Sequence, residues 1–136
     1  MNYAPLNILS GYTFLESSLR VDDIFSICDK YQYPYFSICD LNVMYSYSDI
    51  ENVKDKYKAK PIYGASFKYQ LNQNDMITVN AYIINETGYR NLIKIISLYN
   101  KGINKDQLNS LKEGLIIIVP ILILLFSLII FSPAIK

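Results

Sequence analysis

Very few side chains in this sequence have the chemistry of a hydrolytic site, because the chain contains no histidine. In a parallel β/α scaffold, catalytic groups lie where strands end and loops begin. The loops after the predicted strands hold one carboxylate and no imidazole, and their candidate residues are Ser10, Asp40, Asn42, Ser66 and Pro120. A hydrolytic metal centre needs several His, Asp or Glu ligands that converge on the ion and leave one position open for water. One carboxylate cannot form such a centre, so we predict no catalytic residue and no metal ligand.

The other carboxylates are explained better by secondary structure than by catalysis. Asp22 and Asp23 stand at the start of a predicted helix, where negative charge is favourable at the positive end of the helix dipole. Asp49 and Glu51 fall on the solvated face of a second predicted helix. Without histidine, a general base at neutral pH would need a Glu or Lys with a strongly shifted pKa. No cluster of charges in the sequence indicates one.

Motifs for nucleotide binding, nucleophilic serine and structural metals are missing from the sequence. Ser10 and Gly11 do not form a G-x-S-x-G elbow, and neither a P-loop nor G-x-G-x-x-G occurs. Cys28 and Cys39 lack CxxC spacing and lie in apolar runs, which is typical of buried small hydrophobes. We therefore predict no cofactor, no cofactor-binding residue and no disulfide.

The net charge and the N-terminal sequence limit which partners and which cellular location can be predicted. Thirteen basic and twelve acidic residues give a net charge of +1, so the average charge does not steer the chain toward nucleic acid or acidic membranes. The N-terminus lacks the basic region and apolar segment of a cleaved secretion signal. A cytoplasmic location is the resulting prediction.

Hydrophobic periodicity predicts short strands at six places along the chain. They cover residues 6–9, 35–39, 60–63, 65–70, 76–84 and 115–119, with Gly64 closing the third. The Asn and Asp residues between the fourth strand (65–70) and the fifth strand (76–84) suit a hairpin turn. Strands and helices alternate, which favours an α/β fold with mainly parallel pairing.

Four helices are predicted between these strands. The first begins after an N-cap at Ser18, the second covers residues 46–58, the third is capped by Thr87 and the fourth covers residues 105–112. The i, i+3, i+4 spacing predicts the buried faces of the first three helices. Those faces are Val21, Ile24, Phe25, Cys28 and Tyr31; Tyr47, Ile50, Val53 and Tyr57; and Leu92, Ile95, Ile96 and Tyr99.

Five segments in order resemble a known family. They read P-L-N-I-L-S-G-Y-T-F-L-E from Pro5, C-D-L-N-V-M-Y-S from Cys39, K-P-I-Y-G-A-S-F from Lys60, N-E-T-G-Y-R-N-L-I-K-I-I-S from Asn85 and E-G-L-I from Glu113. Over residues 3–119 the chain resembles the N-terminal PHP (polymerase and histidinol phosphatase) domain of the bacterial DNA polymerase III alpha subunit. The resemblance implies a distorted β/α barrel, here partial, and a parent protein that synthesises DNA with other replisome subunits.

The resemblance also implies where metal ligands would lie. Active members carry histidines on the first strand and in a T-D-H-G turn, and often a Glu after K-P-I-x-G. Those positions are occupied here by Pro5, Asn7, Leu9, Leu41 and Ser66. Asp40 matches the family residue of the turn, and we expect it to cap or brace that turn. The resemblance therefore implies a degenerate domain without the metal-dependent phosphoesterase or proofreading activity of active members.

The C-terminal end is apolar and allows three interpretations. An uncharged stretch begins at Leu115 and ends at Phe131, and its seventeen residues are at the lower limit for a membrane-spanning helix. It could be a membrane anchor, core strands of an incomplete barrel, or a tail translated out of frame. We predict a partial PHP-like domain at residues 1–119 and a separate tail at residues 120–136.

Three functional hypotheses follow. The leading one is a truncated PHP-domain fragment of a DNA polymerase III alpha subunit, with a structural role and without the polymerase palm. The runner-up is a small membrane-tethered or interaction protein that reuses part of an α/β domain. The third is a hydrolase with an unusual site around Asp40.

Overall fold

Helix α1 (Val21–Lys30) follows the predicted apolar spacing closely. Val21, Ile24, Phe25 and Cys28 are buried, whereas Tyr31 lies just past the helix and is 60% exposed. The computed structural model that shows this describes residues 3–119. The buried face is thus confirmed for every predicted member but the last.

Two predicted helix caps are wrong by two residues each. The N-cap of α1 is Arg20, in extended conformation and without a side-chain cap, and Ser18 lies two residues upstream. Helix α3 (Glu86–Leu98) begins after Asn85, whose side chain accepts a hydrogen bond from the Gly88 amide, and Thr87 lies inside the helix. Thr and Asn are both favourable caps, so residue type did not decide between Thr87 and Asn85. At α1 the cap position is held by Arg20, which this preference does not predict.

Strand β1 (Tyr35–Ile38) and helix α2 (Ser46–Val53) are the next pair. The predicted helical segment continues as a 3-10 turn over Lys54–Lys56. Ile50 is buried in the first core, and Tyr47, Val53 and Tyr57 pack against it. The inner face of this helix is therefore as predicted, and the α-helix itself is shorter.

Strand β2 (Lys60–Gln70) is one continuous strand where two were predicted. Gly64 does not end it, because the missing side chain lets β2 approach its neighbour: a Cβ there would lie 2.8 Å from the carbonyl oxygen of Ala81. Glycine inside a strand often marks such a close approach. The hairpin to β3 (Met76–Ile83) is confirmed.

The described residues form a sheet in the order β1-β2-β3-β4, with β4 at Leu115–Ile118. Only β1 and β2 are parallel, and both other pairs are antiparallel. The prediction of mainly parallel pairing is therefore wrong. Between β3 and β4 the chain passes along α3 and then α4 (Lys105–Leu111), so it re-enters the sheet at the end where β3 stopped. The mixed α/β class is confirmed.

The predicted first strand, residues 6–9, lies beside β1 without forming a regular strand. One isolated bridge joins Ile8 to Ile38. The amide of Ile8 donates to the carbonyl of Ser37 at 3.1 Å, and the Cys39 amide donates to the carbonyl of Ile8 at 2.8 Å. Residues 5–9, which we call the first segment, cover the outer edge of β1 and lead to the buried Ser10.

The core has two parts that share the sheet. One part packs α1 and α2 against β1, around Phe25 and Phe36. The other packs α3 against β2 and β3, around Phe67, Leu92 and Ile95. Both cysteines, Cys28 and Cys39, are buried and free, as predicted.

The C-terminal interpretations are tested only at their first residues. Leu115–Ile118 pairs with β3 as the edge strand β4, so the apolar stretch begins inside the sheet. Residues 120–136, with the rest of that stretch, lie outside the described residues. Among residues 3–119, no helix has the length and apolar character needed to cross a membrane.

Candidate functional site

Asp40 follows β1 and is buried, with 1% of its surface exposed. Its Oδ1 accepts hydrogen bonds from the Ser10 amide and the Thr13 hydroxyl, both at 2.8 Å. Its Oδ2 accepts from the Ser10 hydroxyl at 2.6 Å. The Thr13 hydroxyl oxygen in turn accepts from the Leu41 amide at 3.2 Å. Asp40 therefore has the bracing role that was expected. Its side chain holds the loop at Ser10 and Thr13, in addition to bracing its own turn.

A second group of polar side chains lies across the middle of the sheet. Ser66 on β2 stands opposite Asn80 on β3. The Ser66 Oγ lies 2.7 Å from Asn80 Oδ1 and 2.9 Å from the Cys39 carbonyl oxygen, and its proton can be donated to either. The side-chain NH₂ of Asn80 donates to the Tyr82 hydroxyl at 3.4 Å, and that hydroxyl donates to the Leu6 carbonyl at 2.6 Å. We call Cys39, Ser66, Asn80 and Tyr82 the neutral network.

The ionisable members of the neutral network remain uncharged at neutral pH. Burial raises the pKa of the Cys39 thiol, and burial likewise raises the pKa of the Tyr82 phenol. The Cys39 thiol donates to the carbonyl of Leu6 at 3.4 Å. Both side chains thus bind the first segment of the chain as neutral hydrogen-bond donors.

The backbone connects Asp40 to the neutral network. The Ser66 amide donates to the Asp40 carbonyl at 3.0 Å, and the Asn42 amide donates to the Ser66 carbonyl at 2.8 Å. Asn42 has a φ of 56°, a conformation that Asn tolerates better than most residues. The structure therefore brings together four of the five candidate residues, Ser10, Asp40, Asn42 and Ser66, and Pro120 lies outside the described residues.

Two of the three histidine positions on the first segment face a cleft beside the neutral network. Pro5 and Asn7 line a cavity of about 390 Å³ together with Asn80 and Tyr82. Leu9 is half-buried, and its carbonyl accepts a hydrogen bond from the Ser17 hydroxyl at 2.8 Å. The polar side chains on this cleft are the amides of Asn7 and Asn80 and the phenols of Tyr3 and Tyr82.

The arrangement does not fit a bound metal ion. The carboxylate of Asp40 already faces three hydrogen-bond donors, and these would have to turn away before a cation could take their place. Its neighbours Ser66 and Asn80 satisfy each other. Within residues 3–119 there is no group of three His, Cys, Asp or Glu side chains able to hold an ion. The buried polar groups around Asp40 are instead hydrogen-bonded to one another.

The helix carboxylates have structural contacts of their own. Asp22 lies in the first turn of α1 and accepts from the Tyr57 hydroxyl at 3.0 Å. Asp49 accepts from the Tyr12 hydroxyl at 2.8 Å. Glu51 is exposed and pairs with the Lys54 ammonium at 2.6 Å. None of these three contacts Asp40 or the neutral network in the described structure.

Sequence reasoning missed Thr13, Asn80 and Tyr82. Thr13 sits in a loop, four residues after the end of the first predicted strand, and no residue spacing links it to Asp40. Asn80 and Tyr82 were available in principle, because residues two apart in a strand face the same side of the sheet. A polar Asn in a predicted strand that is mostly apolar is the signal that could have identified a buried partner.

Comparison with known proteins identifies the family. The family model described as "PHP domain" matches residues 6–131. The chain belongs to the PHP domain family. The match extends twelve residues past Val119, into the apolar stretch that ends at Phe131.

Curated relatives of this PHP domain are named DNA polymerase III subunit alpha. The protein from Ureaplasma parvum is 35% identical over 92 residues, which are 68% of this chain and 9% of the relative. That from Bacillus subtilis is 27% identical over 126 residues, covering 88% of this chain and 11% of the relative. The chain thus spans about a tenth of the length of the relatives it matches.

A solved structure shares the fold of this PHP domain. The protein from Bifidobacterium adolescentis is assigned as a metal-dependent phosphoesterase and superimposes with a TM-score of 0.59 at 5% sequence identity. The aligned region covers 71% of this chain and 32% of that one. At this identity the likeness concerns the fold alone.

Proposed function

We propose that this chain is a PHP-domain segment of a replicative DNA polymerase of the polymerase III alpha type, and that its own role is structural rather than catalytic. The observation that carries the proposal is the neutral network, together with the fully hydrogen-bonded Asp40 beside it. Buried groups that satisfy one another stabilise a fold and leave no reactive group exposed.

The curated relatives support the polymerase context. Proteins named DNA polymerase III subunit alpha match this chain over 68% and 88% of its length. Nucleotidyl transfer would belong to parts of such a protein that this chain does not match. DNA and other replisome subunits are accordingly the proposed partners of the longer protein.

The hydrogen bonds around Asp40 suggest how the segment works. In a metal-dependent relative, an ion held by the first strand and its neighbours would tie those elements together. Here Asp40 holds Ser10 and Thr13, and Tyr82 holds the carbonyl of Leu6. We infer that these direct bonds hold the first segment on the sheet.

Metal analysis together with an activity assay tests the proposal. The purified full chain is incubated with Zn²⁺ or Mn²⁺, desalted, and examined for bound metal and for hydrolysis of a phosphodiester such as bis(p-nitrophenyl) phosphate. An active phosphoesterase of the same fold serves as the positive control. We expect substoichiometric metal and no turnover above buffer. Stoichiometric metal with hydrolysis that a chelator abolishes would defeat the structural role.

A further inference from the structure

A separate cleft lies between α2, the first half of β2 and the start of α3. Its volume is about 550 Å³, and we call it the tyrosine cleft after its main lining residues: Tyr47, Glu51, Tyr63, Ile83, Glu86 and Tyr89. Neither Asp40 nor any member of the neutral network lines it. Its size lies within the range of cavities that bind a small molecule or a long side chain.

Three aromatic rings form the wall of the tyrosine cleft. The rings of Tyr47 and Tyr63 meet edge to face, with centroids 5.1 Å apart, and those of Tyr47 and Tyr89 are nearly parallel at 6.5 Å. The Tyr47 hydroxyl donates to the carbonyl of Gly64 at 2.8 Å, which fixes the central ring. Burial raises the pKa of Tyr47, so this ring is neutral. Neutral aromatic faces attract cations through the ring quadrupole.

Two carboxylates, and no basic side chain, line the same cleft. Glu51 accepts a hydrogen bond from the Tyr63 hydroxyl, which directs one carboxylate oxygen to the aromatic wall. Hydrogen bonds from Lys54 and then Tyr63 lower the pKa of Glu51, so it is ionised at neutral pH. Lys54 and Arg90 pair with Glu51 and Glu86 from outside the cleft. Exposed ion pairs of this kind are weak, so an incoming cation can compete for the carboxylates.

The start of α3 does not turn the cleft into an anion site. The Gly88 amide in its first turn is not free, because it donates to the Asn85 side chain at 3.0 Å. Glu86 in the first turn compensates the positive end of the helix dipole. An anion would meet two carboxylates and no balancing cation within the lining.

We propose that the tyrosine cleft binds the guanidinium group of an arginine side chain from a partner polypeptide. A guanidinium is planar, stacks on aromatic faces and can form paired hydrogen bonds with a carboxylate. The apolar Ile83 and the ring faces suit the methylene stem of such a side chain. This inference does not depend on the metal-free structural role, because the two sites share no residue.

An NMR titration of the full chain with capped single amino acids tests the charge requirement. The probe is N-acetyl-arginine methylamide, and its control is the citrulline analogue, which has nearly the same shape without the charge. We expect arginine to shift the amides of residues 47–51 and 83–89 at low ionic strength, and citrulline to bind at least threefold more weakly. Capped lysine should also bind more weakly. Equal binding of arginine and citrulline, or shifts elsewhere on the chain, would overturn the proposal, and equal binding of lysine would overturn the guanidinium assignment.

Surface variants then locate the site. Tyr89→Leu removes a ring that is 44% exposed, and we expect it to weaken arginine binding about three- to tenfold. Glu86→Gln, at a more exposed position, should weaken binding and reduce its salt dependence. Tyr45→Leu is the matched control, since Tyr45 is 67% exposed and lies outside the cleft. Unchanged affinity in both cleft variants, with wild-type spectra, would contradict the proposal.

Discussion

At the scale of single residues, Asp40 is the buried carboxylate on which three hydrogen bonds of the described core converge. Its buried carboxylate accepts hydrogen bonds from one amide and two hydroxyls. A buried charge is tolerated only when hydrogen bonds replace its lost hydration. Ser10 and Thr13 supply that replacement, so the carboxylate and its donors depend on one another.

Replacing Asp40 with Asn should destabilise the fold. The side-chain NH₂ of Asn cannot accept a hydrogen bond, so either the Ser10 amide faces another donor or a hydroxyl of Ser10 or Thr13 must turn its proton away, and the bonds to a charged acceptor are lost. We expect a loss of about 2 to 4 kcal/mol in the free energy of unfolding, measured by urea denaturation. Asp49→Asn is the control, because Asp49 accepts a single bond from Tyr12 at the surface. Equal stability of the two variants would refute the bracing role of Asp40.

The backbone conformation of Asn42 leads to a second prediction for a single residue. Its φ of 56° is in the left-handed region. Its buried Oδ1 has no hydrogen-bond partner among the described residues, and its Nδ2 donates to the Asn100 carbonyl at 3.2 Å in an exposed contact. Glycine and alanine both lose that contact, so Asn42→Ala should be less stable than Asn42→Gly by about 1 to 2 kcal/mol because Ala disfavours this conformation. Thermal unfolding of the two variants checks this. A more stable Ala variant would show that the turn adopts another conformation.

At the scale of elements, the segments that begin at Asn85 and Glu113 meet at the start of α3. A Cβ at Gly88 would lie 1.9 Å from the carbonyl oxygen of Gly114, and Gly114 itself has a φ of 74°. The Asn91 side chain donates to the carbonyl of Glu113 at 3.0 Å. The glycines therefore allow the first turn of α3 to pack directly on the turn before β4.

Gly88→Ala should separate these elements. The clash is with backbone, which cannot move aside as a flexible side chain could, so we expect a destabilisation of about 3 kcal/mol or more. Gly11→Ala is the matched control, since a Cβ there would make an ordinary contact at 3.5 Å. Urea unfolding of both variants measures the difference. A Gly88→Ala protein as stable as the control would mean that α3 does not approach β4 so closely.

Element types were predictable where periodicity was strong, and pairing was not. The face of α1 around Ile24 and Phe25 followed from spacing alone. The continuity of β2 through Gly64 did not, because the reason for the glycine is a neighbouring strand. The direction of β4 depends on where α3 and α4 return the chain to the sheet, and a local sequence pattern does not encode that. Asp40 was found as a candidate, whereas its donor Thr13 became visible only with the fold.

At the scale of the whole molecule, buried thiol and phenol groups make stability sensitive to alkali. Burial raises the pKa of Cys28 from about 9 to about 11. Below pH 9 the thiol is protonated in both states and contributes nothing to the pH dependence. Between these values the unfolded chain releases the proton and the native chain keeps it, so stability falls as pH rises, by up to about 1.4 kcal/mol per pH unit.

A comparison with Cys28→Ala isolates this contribution. The pKa values of Tyr47, Tyr63 and Tyr82 are also raised, chiefly by burial, so both proteins should lose stability at high pH. The wild-type chain should lose more between pH 9 and 11. Urea midpoints measured across this range give the two slopes, and parallel curves would show that Cys28 titrates normally in the folded chain.

The central claim is our proposal that the Asp40 carboxylate, which Ser10 and Thr13 hold by hydrogen bonds, is not available to an ion. The most direct measurement is paramagnetic broadening of amide NMR signals by Mn²⁺ added at equimolar concentration to the full chain. We predict that the signals of Ser10, Thr13, Asp40 and Ser66 lose no more intensity than those near exposed carboxylates such as Asp23. Selective, saturable loss of the signals around Asp40 would contradict the account.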